Sequence, residues 1–263
     1  MSDRIATEAG HWYTRTGEPA YTVKMKNGEE RATTLRDGRK LQLVPSVTTV
    51  LSVLSKPALT VLKEKQILMA ALTLPRLAGD TDDAFAERVI VDSKAQAKAA
   101  VERGTALHGA VERHITGQTV DPVWFPHVNA VEIALEQVSV PILYGKAERS
   151  FAHPRGYGGK VDCHGDGWVV DVKTKDRIGD KTAGDLAFDE HVCQLAAYAH
   201  GLNLPAARCL NVFVGVEDAK VVVHEWTADD VERGWQIFCL AVALWKLRNK
   251  YDGGFAVTTN EGE

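Results

Sequence analysis

Two aspartates and a lysine interrupt short apolar runs in "GGKVDCHGDGWVVDVKTK", residues 158–175. A strand buried on both faces carries few such residues. Asp166-Gly167 is a two-residue hairpin signal. With that turn Gly165 pairs with Trp168, Cys163 with Val170, and Asp162 falls opposite Asp171. A four-residue turn over 164–167 would instead pair Asp162 with Val169 and set Asp171 on the diagonal. Both registers put the two carboxylates on one face. Strand alternation adds Lys173 to that face and turns Val170 and Val172 the other way. Facing carboxylates repel, so a positive charge belongs between them. Lys173 supplies one charge, and a divalent cation is the better candidate. Mg²⁺ favours a few carboxylate oxygens together with water and phosphate oxygens. Such an ion orients a water, lowers its pKa and neutralises a phosphate. A neighbouring lysine can donate to the phosphate oxygen or to the attacking water. This is the chemistry of phosphodiester hydrolysis. A surface hairpin with a solvated Asp–Lys pair has the same alternation, so these three residues alone leave both readings open.

Other chemistry-bearing residues recur at helical spacing. Gln194 and Tyr198 in "CQLAAYAHGL" stand at i, i+4 and share a helical face, which an ordinary amphipathic helix with a polar edge would also give. Gly104, His108 and Glu112 in "VERGTALHGAVERHI" stack on one side of a helix, with Gly104 leaving room above the imidazole. Glu112 is either an orienting partner of His108 or a solvated carboxylate. Ser46, Thr48 and Thr49 offer hydroxyls that suit a phosphate contact or a helix cap equally. Lys146, Arg149, Arg155, Lys160, Lys175, Arg177 and Lys181 surround these motifs and could neutralise phosphates although the net charge is −4. In the loop "HPRGYGG", Arg155 accompanies Tyr157, on whose ring a base could stack.

The order of these motifs resembles the PD-(D/E)xK nuclease superfamily, and within it the RecB-like exonuclease branch of phage type. "GKVD", a hairpin and "VVDVKT" look like its D-(x)n-D-x-K signature, Gln194 and Tyr198 like its Q-x-x-x-Y motif, and the Gly104–Glu112 segment like its histidine helix. The resemblance covers roughly residues 41–226. It implies that His108, Asp162, Asp171 and the Val172 carbonyl hold one or two Mg²⁺ or Mn²⁺ ions. It implies that Lys173 activates water, that Gln194 orients the lysine or the phosphate, that Tyr198 buttresses that face, and that Glu148, on the preceding strand, stands near the metal or the groove. CRISPR-associated relatives carry an iron–sulfur cluster on cysteines flanking the core. The four cysteines here lie inside core elements, so no cluster is expected.

These residues need elements to hold them. "AERSFAH", "YGGKVDCHG" and "WVVDVKTK" read as three strands, "FDEHVCQLAAYAHGL" as a helix ending near Gly201, "RCLNVFVGV" and "KVVVHEW" as two more strands. Thr227 with Asp230 opens a last amphipathic helix. Upstream, Asn27-Gly28 and Asp37-Gly38 read as hairpin turns among β-type pieces such as "KLQLVPSVTTV". Helices interrupted at Pro57 follow, then an Ala-rich pattern from Thr81 to Gly117 in one helix or two. The expected fold class is α/β: a central mixed sheet flanked by helices, with a restriction-endonuclease-like core and a helical N-terminal elaboration. The expected organisation is a single domain, with a β-hairpin region over 1–40, a helical part over 41–143, the core over 144–250 and a flexible tail over 251–263.

Composition fits that class. Of 263 residues, 45% are hydrophobic and 25% charged, as in ordinary globular proteins. No apolar signal region or membrane span is visible, so a cytoplasmic location is expected. The wide spacing of the cysteines reads as buried thiols. Neither a glycine-rich nucleotide loop nor a GxSxG elbow appears, which lowers the prospect of a metabolic α/β enzyme. The expected function is a metal-dependent DNA exonuclease in recombination, repair or phage DNA processing, acting on single strands or duplex ends, without base readout and with a recombination partner or as a homo-oligomer. The alternatives are a structure- or flap-specific endonuclease and a non-catalytic DNA-binding subunit of the same fold.

Overall fold

A computed structural model describes residues 10–55, 57–142 and 145–252. The segment 1–9 and most of the expected tail, 253–263, lie outside the described residues. In chain order the elements are β1 (Trp12–Tyr13), β2 (Thr22–Lys24), β3 (Glu30–Ala32), α1 (Leu35–Leu41), β4 (Val44–Pro45), α2 (Val47–Leu51), α3 (Pro57–Thr73), α4 (Asp82–Ile115) and α5 (Phe125–Gln137). They continue with β5 (Lys146–His153), β6 (Tyr157–Gly165), β7 (Trp168–Lys175), α6 (Ala183–Leu186), α7 (Asp189–Gly201), β8 (Arg208–Gly215), β9 (Val221–Trp226) and α8 (Ala228–Asn249).

The centre is a five-stranded mixed sheet in the order β5-β6-β7-β8-β9. β5, β6 and β7 run antiparallel, β7 and β8 parallel, and β8 and β9 antiparallel. Helices cover both faces, so the architecture is α/β. Val161, Val169 and Cys209 pack with α2, α7 and α8 on one face. Val170, Val172, Leu210, Val212 and Val214 pack with the C-terminal half of α4 and with α5 on the other. β8 is buried along nearly its whole length, which is why it reads as an almost unbroken apolar run.

The five core strands and α7 and α8 fall where the sequence patterns place them. Thr227 caps α8 by accepting from the Asp230 amide, while Asp230 accepts from the Thr227 hydroxyl. α4 is one unbroken helix of 34 residues, capped by Thr81. Asn27-Gly28 does turn the β2–β3 hairpin, with Gly28 in the left-handed region.

Asp37-Gly38 does not turn a hairpin. Thr34 and Asp37 form a capping box, which makes both turn residues part of α1. Gly38 is required there for another reason: a Cβ would stand 2.6 Å from the Trp12 ring. The expected tail also begins too early. Tyr251 is buried against Trp12 and Trp245, and its hydroxyl donates to the Leu43 carbonyl.

Candidate active site

The Asp166-Gly167 turn sets the two-residue register: Gly165 pairs with Trp168, His164 with Val169 and Cys163 with Val170. The ladder stops there, one pair short of the two aspartates. Asp162 Oδ2 instead accepts from the Val172 amide at 2.8 Å. A strand amide points along the sheet, so this carboxylate occupies the seam between β6 and β7, where a β6 carbonyl would otherwise sit. The expectation that Asp162 faces Asp171 across a regular pair is corrected accordingly. The strand is distorted at this point. Val161 and Cys163, two residues apart, pack into cores on opposite sides of the sheet. Glu148, on the adjoining strand, has φ 55°, a value few non-glycine residues adopt.

Asp171 is 2% exposed and heavily partnered. Lys173 Nζ lies 3.1 Å from its Oδ1 and 2.9 Å from its Oδ2. Gln194 Nε2 donates to Oδ1 at 2.9 Å, and Asn211 Nδ2 donates to Oδ2 at 2.8 Å. Lys173 also donates to Gln194 Oε1 at 2.9 Å. An ammonium can only donate, so this bond fixes the amide orientation and leaves Nε2 for Asp171 and for the Tyr198 hydroxyl, 2.8 Å away. The i, i+4 pair on α7 therefore joins one network with Asp171 and Lys173. Burial first, then the charges of Asp171 and Asp162, push the Tyr198 hydroxyl well above its ordinary value, which keeps it protonated.

Asn211 is a residue that motif reading missed. It stands beside Asp171 in the parallel register of β7 and β8 and is fully buried. Trp226 Nε1 donates to its Oδ1 at 2.8 Å, so its amide bridges β9 to Asp171. The available signal was a lone polar residue in the apolar run "CLNVFVG".

His108 reaches the seam from α4. Its Nδ1 lies 3.6 Å from Asp162 Oδ2. The contact to Asp162 rather than Glu112 is the one the structure gives this imidazole. Gly104 does not open space above the ring. It lets α4 approach β7, since a Cβ there would meet Thr174 Oγ1 at 2.7 Å. Burial and the charge of Asp171 raise the Asp162 carboxyl above its ordinary value, against the opposing pull of His108 and Lys173.

The remaining expected residues divide. Glu148 ion-pairs with Lys160. Ser46 caps α2 by accepting from the Thr49 amide at 3.0 Å, and its hydroxyl bonds those of Thr48 and Thr49, so these three serve a cap. Tyr157 is fully buried and donates to the Ala197 carbonyl at 3.1 Å, which removes its ring as a stacking surface. The Arg155 guanidinium lies 5.6 Å from the Trp235 ring centre.

The donors can be tested against a hard cation. Two atoms each about 2.1 Å from one Mg²⁺ lie at most about 4.2 Å apart. His108 Nδ1 and Asp162 Oδ2 meet that limit while standing too far apart for a hydrogen bond. A carboxylate has about four acceptor positions, and Lys173, Gln194 and Asn211 fill those of Asp171 with two contacts to each oxygen, so a cation held there would displace the Lys173 ammonium from one of them. Among the described residues no three His, Cys, Asp or Glu side chains converge as a ready-made metal cluster. The pair His108–Asp162 is thus the part of the donor set that the backbone already brings together.

No protein-family model matches this chain, and no curated protein matches it. Among the solved structures that match is one described as "Crystal structure of SSO0001", at 15% identity and a TM-score of 0.26. The match covers 43% of this chain and 57% of that one. At that score the likeness carries no argument. Among the described residues no helix is long and apolar enough to cross a membrane.

Proposed function

We propose that the chain is a metal-dependent deoxyribonuclease of the PD-(D/E)xK type, RecB-like branch, with a restriction-endonuclease-like core and exonucleolytic action on DNA. The observation that carries this reading is the network around Asp171. A buried carboxylate, a lysine two residues on, and a Gln–Tyr pair from the following helix are hydrogen-bonded together beside a second carboxylate and an imidazole.

In this reading His108, Asp162, Asp171 and the Val172 carbonyl hold Mg²⁺ or Mn²⁺. Bound there, the ion supplies a water of lowered pKa and offsets phosphate charge. Lys173 is held by Asp171 and Gln194 with its side chain 25% exposed. It donates to the phosphate oxygen on which charge develops, or to the attacking water. Gln194 fixes that ammonium, and Tyr198 fixes Gln194. Asn211 holds Asp171 from behind, so the carboxylate keeps its angle when Lys173 turns to substrate.

The test is digestion of end-labelled single- and double-stranded DNA, linear and circular, with Mg²⁺, Mn²⁺ or EDTA. Lys173→Ala and Asp171→Asn should each lower metal-dependent cleavage by at least about 100-fold. Cleavage that survives both substitutions refutes the site. Degradation of closed circles would replace exonuclease by endonuclease, and binding without cleavage would replace both by a DNA-binding subunit.

A further inference from the structure

Strand β7 carries a second lysine in line with the first. Lys173 and Lys175 share a strand face, about 6.6 Å apart along the strand. Lys175 is partly buried, and its Nζ lies 5.8 Å from the centre of the Phe213 ring, a fully buried floor contributed by β8. Among the described residues no carboxylate lies within ion-pair distance of it. Its nearest charges are mostly positive: Lys173 on the same strand and Lys181 on the loop that leaves β7, with Glu190 of α7 the negative one. Burial and the two lysine charges push its ammonium below its ordinary value, with Glu190 alone opposing them. The same loop lines an open depression with a volume of about 610 Å³, bordered by Arg177 and Lys181 together with the carboxylates of Asp180 and Asp185.

A half-buried ammonium beside two others costs free energy unless an anion joins them. Packing does not account for the charge, since a methionine would cover Phe213 as well. The spacing along the strand is comparable to the distance between neighbouring phosphates of one nucleotide strand.

We infer that Lys175, with Lys181 behind it, binds the phosphate next to the scissile one, so that the nucleic-acid backbone runs along β7 from Lys173 toward the 175–181 loop. This rests on the nuclease reading above and adds to it a subsite and a direction. Lys175 is a positioning residue. It holds the neighbouring linkage and touches no reacting atom.

The test uses the full chain and a short fluorescent single-stranded oligonucleotide. Binding is measured by anisotropy in EDTA across a salt series, and cleavage in Mg²⁺. Lys175→Met should weaken binding about fivefold at low salt and lower the slope of log affinity against log salt by about 0.7, the share of one phosphate. KM should rise in the same proportion, with kcat within twofold. A neutral methylphosphonate at the linkage next to the scissile bond should weaken the wild type about fivefold and leave Lys175→Met unaffected. Lys175→Arg should restore most of the affinity. Wild-type cleavage with an unchanged salt slope in Lys175→Met, or an equal methylphosphonate effect on both proteins, overturns the subsite and leaves the nuclease reading standing. A wild type that neither binds nor cleaves DNA overturns both.

Discussion

Asp162 sets folding against chemistry most sharply. Its raised carboxyl means that the unfolded chain releases this proton first as pH rises. Above the ordinary aspartate value, 3.8, the folded state therefore loses stability until the higher folded value is passed. Asp162→Asn keeps an oxygen for the Val172 amide and removes the charge. In EDTA this variant should melt above the wild type at pH 7, with the gap closing below pH 3.8; under the proposed nuclease reading, DNA cleavage measured in Mg²⁺ should fall by at least about 100-fold. Each 1 kcal/mol gained appears as about 2–4 °C in the melting midpoint. Equal melting curves at pH 7 would show that the carboxylate is not strained. Asn211→Ala should lower stability by about 1–3 kcal/mol, because it strands the Trp226 donor and removes one of the two donors to Asp171 Oδ2. Chemical denaturation reads that loss. The proximity of Asp171 to Lys173 and of Gln194 to Tyr198 was legible because their spacing follows strand and helix periods, whereas the seam position of Asp162 was not, because β6 breaks its alternation there. Asn211 belongs to no motif. Its role follows from the β7–β8 register, which joins segments 40 residues apart and has no local signal.

At the scale of elements, turn and cap chemistry decided what could be read. Asp166-Gly167 and Asn27-Gly28 form the turns their residue types predict. Asp37-Gly38 has the same composition, but the Thr34 cap recruits it into α1, a competition that the dipeptide alone does not reveal. The contact of α4 with β7 gives an element-scale prediction. Glycine to alanine inside a helix ordinarily stabilises it by about 1 kcal/mol. Gly104→Ala should instead cost about 1–3 kcal/mol, because the added methyl meets the Thr174 hydroxyl. Thr174→Ala removes that oxygen and should recover most of the loss in a double-mutant cycle. Independent, additive effects would mean that the helix and strand do not meet there. His108 lies one turn further along α4, so under the proposed nuclease reading Gly104→Ala should also weaken cleavage.

Across the whole molecule, the sheet separates two cores, and thiol chemistry can report on that separation. Cys163, Cys193 and Cys209 are buried, and burial raises their thiols to about 12, 11 and 12. Cys239 is less buried. An aromatic disulfide reagent at pH 8 should label Cys239 first and the other three only on unfolding. Rapid labelling of all four in the native protein would contradict the layered packing. The general α/β layout was readable from the sequence, because β6 to β9 show apolar runs or alternation between turn residues, while β5 is the polar edge strand. How the N-terminal segment closes against Trp245 and Tyr251 was not, because those contacts span more than 200 residues. The gap in the β6–β7 ladder has one more consequence. The Val172 amide proton is bonded to a carboxylate rather than to a peptide carbonyl, so its NMR resonance is a built-in gauge. Its chemical shift should follow the ionisation of Asp162 and the arrival of a cation, giving a titration curve for this centre with neither DNA nor turnover present.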